Sequence, residues 1–327
     1  MVTDRTALVD VHAHFVTERY VSAARAARHE RPDGMPTWPQ WSVEEQLDLM
    51  GRAGIGTSIL SVSSPGTHFG DDQAARALSH EVNEFAAALR QEHPTRFGHF
   101  ASLPLPDVDG ALMEAAYALD VLGADGLAVE TNAHGAYLGD PRFEPLWQEL
   151  HGRRAIVFVH PTSPPHAEAV SLGLPRPMLE FLFDSARAAG DLVFKGVLAR
   201  YPGIQWIFTH SGGVLPLLTD RMEMFGAVLG APSQQPGRPT EPGVQVHDLL
   251  GRLWFDMAGT PFPRQIPALA EAFGTQQLLY GSDYCWTPPA AALAHASSLD
   301  AAPQPAPDTW RSLTSRNAYR LLGNRAS

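Results

Sequence analysis

Eight short apolar or β-rich runs, each bounded by turn residues, recur along the 327-residue chain at intervals wide enough to hold a helix. They are Ala7–His14, Thr57–Ser63, Phe97–Leu103, Gly126–Thr131, Ala155–His160, Ile204–His210, Leu253–Ala258 and Leu278–Asp283. Several are continuously apolar, without alternation, as strands buried on both faces of a parallel sheet are. Segments of helical period lie between them: Val43–Arg52, Asp72–Glu92, Gly110–Leu122, Pro141–Arg153, Val193–Tyr201, Val214–Phe225 and Arg264–Phe273. Eight strands alternating with helices predict an α/β fold, a (β/α)8 TIM barrel forming one domain over residues 1–327. A doubly wound open sheet competes, but it needs a Gly-rich turn after its first strand, where this chain has His-Ala-His-Phe.

Three stretches interrupt the rhythm. His29–Trp41 and Pro161–Pro177 are proline-rich and follow the first and fifth runs. That is the face on which barrel active sites form, so the two predict lid insertions there. Ala231–Val244, rich in Pro, Gly and Gln, reads as a loop, and Thr309–Leu322 reads as a final helix.

The ends of the runs carry the chemistry. His12 and His14 close the first, His160 the fifth, His210 the sixth and Asp283 the eighth. Residues two apart on a strand share a face, so His12 and His14 supply two converging imidazoles without backbone contortion. With His160 and Asp283 they predict a site for one divalent metal ion, zinc first and manganese next, with no organic cofactor. His210 is either a fifth ligand or a free acid–base group acting with Asp283. Asp256, at the end of a Trp-Phe-Asp run, is a candidate hydrogen-bond partner for a ligand histidine. His68 and Trp286, with Phe15, Asn132 and Phe262, fall at or after strand ends and are candidates to line a substrate pocket. Trp38 and Trp41 are candidates to cap an aromatic ring.

Composition narrows the partners. A formal net charge of −11 argues against nucleic acid and anionic membrane surfaces. Cys285 is the single cysteine, which excludes a disulfide framework and a thiolate metal cage. No basic leader or bilayer-length apolar run is visible, so a cytoplasmic protein is expected. Lys195 is the only lysine and lies in a helix-like stretch away from the strand ends, which argues against Schiff-base, P-loop or bridging-lysine chemistry.

Asp10-Val-His-Ala-His14, Val157-Phe-Val-His-Pro161, Phe208-Thr-His-Ser-Gly-Gly213 and Tyr280-Gly-Ser-Asp-Tyr284 resemble the amidohydrolase superfamily. The resemblance is to its branch of aminocarboxymuconate-semialdehyde and salicylate- or resorcylate-type decarboxylases, and it runs from residue 7 to about 290. Ser61–Gly66, His68–Asp71, Gly123–Gly126 and Tyr137–Pro145 look most like methylsalicylate decarboxylases. The resemblance implies non-oxidative decarboxylation at one divalent metal on His12, His14, His160 and Asp283, with His210 as catalytic histidine. It also implies a homodimer in which Arg221 reaches the neighbouring subunit's substrate. The muconate enzymes carry an arginine shortly before the tryptophan matched by Trp41, and Asp33–Gln40 has none. An aromatic ortho-hydroxy acid is therefore the expected substrate. The same metal could instead carry hydrolysis of a lactone or amide, which the first four motifs fit equally well.

Overall fold

The computed structural model describes residues 7–229 and 245–323. The apolar runs form eight parallel strands: β1 (Leu8–His14), β2 (Ile55–Ser61), β3 (Phe97–Ser102), β4 (Gly126–Glu130), β5 (Ile156–His160), β6 (Gln205–Phe208), β7 (Trp254–Asp256) and β8 (Leu278–Leu279). They pair in sequence order, and bridges Asp10–Tyr280 and Ala13–Tyr284 bring β1 back to the chain at β8. The nearly closed (β/α)8 barrel is the expected fold, and the doubly wound alternative is ruled out. Val9, Val11, Phe100, Phe158, Ile207 and Leu279 belong to one buried cluster, and a larger one joins the strands to the surrounding helices.

Ten helices of eight or more residues lie among the described residues: α1 (Glu18–Ala26), α2 (Val43–Ala53), α3 (Asp72–Glu92), α4 (Val108–Asp120), α5 (Glu144–Arg153), α6 (Glu180–Phe194), α7 (Leu215–Leu229), α8 (Ile266–Phe273), α9 (Pro289–Ala301) and α10 (Trp310–Leu322). Local chemistry sets their ends. The Ser42 and Asp71 side chains accept the amides of Glu45 and Ala74, capping α2 and α3, and Gly54 ends α2 in a left-handed conformation.

The differences from expectation have local causes. Val193–Tyr201 is not one helix: α6 ends at Phe194, Gly196 turns left-handed at φ 74°, and a short helix follows over Val197–Arg200. The sequence reading missed α1, most of α6, and α9, whose run of alanines marks no apolar stripe. β6 stops at Phe208 because His210 and Ser211 adopt φ of 51° and 56°. Asp283, at φ 57°, likewise lies in a turn beyond a two-residue β8.

β1 itself is irregular. From Asp10 to Ala13 it advances three residues, while β2 advances two (Ser58 to Leu60) and the chain after β8 advances four (Tyr280 to Tyr284). The segments after β1 and β5 meet, where Asp33 accepts the Ser163 hydroxyl at 2.5 Å and its amide at 3.2 Å. Ala231–Val244 lies outside the described residues. No described helix is long and apolar enough to cross a membrane.

Candidate active site

β1, β5 and the turn after β8 bring His12, His14, His160 and Asp283 together, with one donor atom from each lying within 4.8 Å of the others. Each imidazole has its Nδ1 engaged. His12 Nδ1 pairs with Asp256 Oδ2 at 2.9 Å, His14 Nδ1 faces the Ser61 carbonyl at 3.2 Å, and His160 Nδ1 faces the Pro161 carbonyl at 2.7 Å. A proton on Nδ1 leaves the Nε2 lone pair free, the tautomer a metal ligand needs. The Nε2 atoms of His12 and His14 are buried without a hydrogen-bond partner among the described residues, and stand 3.5 and 3.4 Å from Asp283 Oδ1. Orphaned buried nitrogens are costly. Converging beside a carboxylate, they fit a divalent ion held by three nitrogens and one oxygen.

Electrostatics favours the donor forms of His160 and Asp283. Burial and the imidazoles of His14, His12 and His210 push His160 well below the ordinary histidine range, keeping it neutral as a ligand must be. Burial opposes charge on Asp283, but contacts with His14 and His210 outweigh it and hold the carboxyl well below its usual range. Burial likewise opposes charge on His12, and the Asp256 carboxylate outweighs it and raises the imidazole. Asp256 also accepts the amides of His210 at 3.0 Å and Ala258 at 2.9 Å, so one buried carboxylate orients His12 and fixes the turn that carries His210.

His210 Nε2 lies 3.5 Å from Asp283 Oδ2, its Nδ1 meets Thr209 Oγ1 at 3.0 Å, and Gln265 donates to its carbonyl at 2.7 Å. A cavity of about 340 Å³ borders His160, His210 and Asp283, with Met178, Phe181 and Trp286 among its walls. Trp286, singled out from the sequence, brings a buried indole N–H without a partner among the described residues. Phe181 was missed because its helix, α6, was missed, and Met178 ends the short helical turn Arg176–Met178 just before it. The proline-flanked apolar stretch Pro175–Phe183 is the signal that could have found them.

Other expected residues lie elsewhere. His68 lines a neighbouring cavity of about 560 Å³, because the glycine-flanked turn at 66–70 carries it away from the cluster. There its Nε2 meets Asp72 at 2.9 Å and its Nδ1 meets His134 at 2.9 Å. Asn132 lines the same cavity and donates to Asp184. Trp38 packs behind Trp286, with ring centroids 5.6 Å apart, and Trp41 bonds Gln46, so neither caps the cavity. Phe15 stacks on Phe85, and Phe262 packs on Trp310. Arg221 is exposed on α7, 5.0 Å from the Phe225 ring, and is not among the residues lining the cavity of its own chain. Lys195 is exposed at the C-terminal end of α6.

A parallel (β/α)8 barrel with a three-histidine, one-aspartate cluster at the C-terminal ends of its strands defines a class, the barrel enzymes built around a divalent metal. The chain belongs to the amidohydrolase family, whose model matches residues 9–323. Among curated relatives it is 36% identical to the 6-methylsalicylic acid decarboxylase of Penicillium expansum, over 97% of this chain and 96% of that protein. It is 41% identical to decarboxylase yanB of Aspergillus niger, over 65% of this chain but only 60% of that protein. Among solved structures it superimposes on an amidohydrolase II with a TM-score of 0.86 at 32% identity, covering 97% and 99% of the two chains. A dihydroxybenzoic acid decarboxylase from Polaromonas with bound manganese and 2-nitroresorcinol gives a TM-score of 0.78 at 20% identity, covering 97% and 96%. Within the family, the chain groups with the aromatic-acid carboxy-lyases.

Proposed function

We propose that this chain is a metal-dependent, non-oxidative decarboxylase of an aromatic ortho-hydroxy acid, with 6-methylsalicylate as the expected substrate. The observation that carries the reading is the His12–His14–His160–Asp283 cluster opening on a cavity with apolar walls, together with near full-length similarity to a 6-methylsalicylic acid decarboxylase. A divalent ion held by those four side chains would neutralise and polarise a carboxylate and its neighbouring phenolate. The surrounding side chains do the rest. Met178, Phe181 and Trp286 hold the ring and limit water, and the indole N–H of Trp286 is a donor for a substrate oxygen. Asp283 and His210, in contact at 3.5 Å, hold the proton that is placed on the ring carbon bearing the carboxylate. The carbon–carbon bond then breaks, its electron pair restores the aromatic ring, and carbon dioxide leaves.

The donor set suits zinc or manganese, and elemental analysis of the purified protein decides between them. The partner arrangement is a homodimer. Leu217, Arg221, Met224, Phe225 and Val228 follow helical spacing along one side of α7, and the four apolar members are 41–78% exposed. A second copy seated there buries that stripe and brings Arg221 to the interface. A single domain over 1–327 and a cytoplasmic location complete the reading; limited proteolysis and cell fractionation check them.

The test is a panel of ortho-hydroxybenzoates incubated with metal-analysed protein, reading carbon dioxide and ring product. Metal-dependent release, greatest with 6-methylsalicylate, is the expected result. Bound metal with no carbon dioxide, but acid released from lactones, would make the protein a hydrolase instead.

A further inference from the structure

Between Asp10 and Ala13 the three chains at the barrel seam advance by three, two and four residues, so regular pairing fails there. Backbone amides in a buried ladder still need acceptors. Those of His12 and Ser282 both find the same one, donating to Asp10 Oδ1 at 3.1 and 3.0 Å. Asp10 is fully buried, and its Oδ2 has no partner among the described residues. The two amides belong to a proposed metal ligand, His12, and to the residue preceding another, Asp283.

The rest of the seam is equally tight. The Asp283 amide donates to the His12 carbonyl at 2.7 Å, and the Tyr284 amide donates to the Ser282 hydroxyl at 3.1 Å. A Cβ on Gly281 would stand 2.7 Å from the His12 Cβ, so the two chains touch with no room for a side chain. Every residue of Gly281-Ser282-Asp283 is thus held against β1: the Ser282 hydroxyl reaches the His12 carbonyl at 3.5 Å, and Asp10 accepts an amide from each of the two backbones.

We infer that Asp10 is a positioning residue, whose single carboxylate oxygen clamps the amides of His12 and Ser282 and so sets the spacing of His12 and Asp283 as ligands. The inference rests on the reading that these residues bind a divalent ion. Asp10 is neither among the residues lining the cavity nor in the four-residue cluster. Its effect passes through the backbone of the two ligands.

Asp10→Ala and Asp10→Asn, compared with the unaltered chain, test it. Metal affinity is read by chelator competition, and ligand geometry by the visible absorption of the Co²⁺-loaded protein. Asp10→Ala weakens metal binding about 10–100-fold, the usual effect of removing a partner behind a ligand, and alters the Co²⁺ spectrum. Asp10→Asn keeps an oxygen that accepts both amides, and stays close to the unaltered chain in both readouts. Asp10→Ala with unchanged affinity and spectrum overturns the clamp. So does Asp10→Asn as weak as Asp10→Ala, because charge would then be what matters. If Asp10→Ala does not fold, amide exchange in the unaltered chain decides: protected His12 and Ser282 amides support the clamp, and exchange at open-loop rates overturns it. An unaltered chain that binds no divalent ion fails differently, since it removes the metal-site reading itself.

Discussion

His210, Ser211 and Asp283 hold left-handed backbone that non-glycine residues seldom adopt, and all three stand at the barrel mouth. The strain turns two candidate acid–base side chains, His210 and Asp283, off their strands and towards each other. Separating their roles is straightforward. His210→Asn should lower kcat by about 10²–10⁴-fold with metal content intact. Asp283→Asn should lower both kcat and bound metal; turnover and elemental analysis on the same preparations check this. Away from the site, His99 is fully buried with both ring nitrogens unpartnered among the described residues, and burial lowers it to about 4. The unfolded chain therefore binds a proton below about 6.5 that the native chain refuses until about 4. Stability from keeping His99 neutral is complete above 6.5 and is lost as pH falls through that window, by about 3 kcal/mol. His99→Leu should flatten this loss in denaturant titrations compared between pH 7 and pH 4.5. Among single residues, the four proposed ligands were legible because each ends an apolar run. The reach of His68 and of Trp38 was not, because loop path and neighbour packing decide it.

At the scale of elements, strands were easier to read than the helices between β5 and β6. A buried parallel strand announces itself by composition. The chain from Pro161 to Tyr201 instead mixes prolines, short helical turns and one long helix, α6, whose first turn supplies part of the cavity wall. The irregular pairing of β1 was also invisible, because a one-residue slip leaves no mark on an apolar run. The exposed stripe on α7 yields a prediction of its own. Leu217→Asp with Val228→Asp should convert a dimer to a monomer in sedimentation experiments, with thermal stability at high dilution little changed. Such exposed changes ordinarily move stability by no more than about 0.5 kcal/mol. If Arg221 serves the neighbouring subunit, KM should rise in the same variant. A dimer that survives both substitutions places the interface elsewhere.

For the whole molecule, metal and fold are linked, because the proposed ligands come from three separated parts of the barrel. A ligand that binds only the native state at about 100 times its Kd adds about 2.7 kcal/mol. Chelation should therefore lower Tm by several degrees, and readdition of zinc or manganese should restore it. An unchanged Tm after complete metal removal would show that the barrel closes without the ion. Acidification acts in the same direction, since protonating His160 and Asp283 removes donors. The seam between β1 and β8 has a consequence for how the molecule is made. Ser282 follows His12 by 270 residues, so a ribosome delivers the two sides of the seam far apart in time. At roughly 5–20 residues per second the interval is on the order of 15–50 s. Throughout it, His12 and His14 are exposed without Asp283, and a nascent chain meeting free zinc can hold it only with an incomplete set of donors. Cells that make this protein face a timing problem, in which the ion is best supplied after the last strand has emerged.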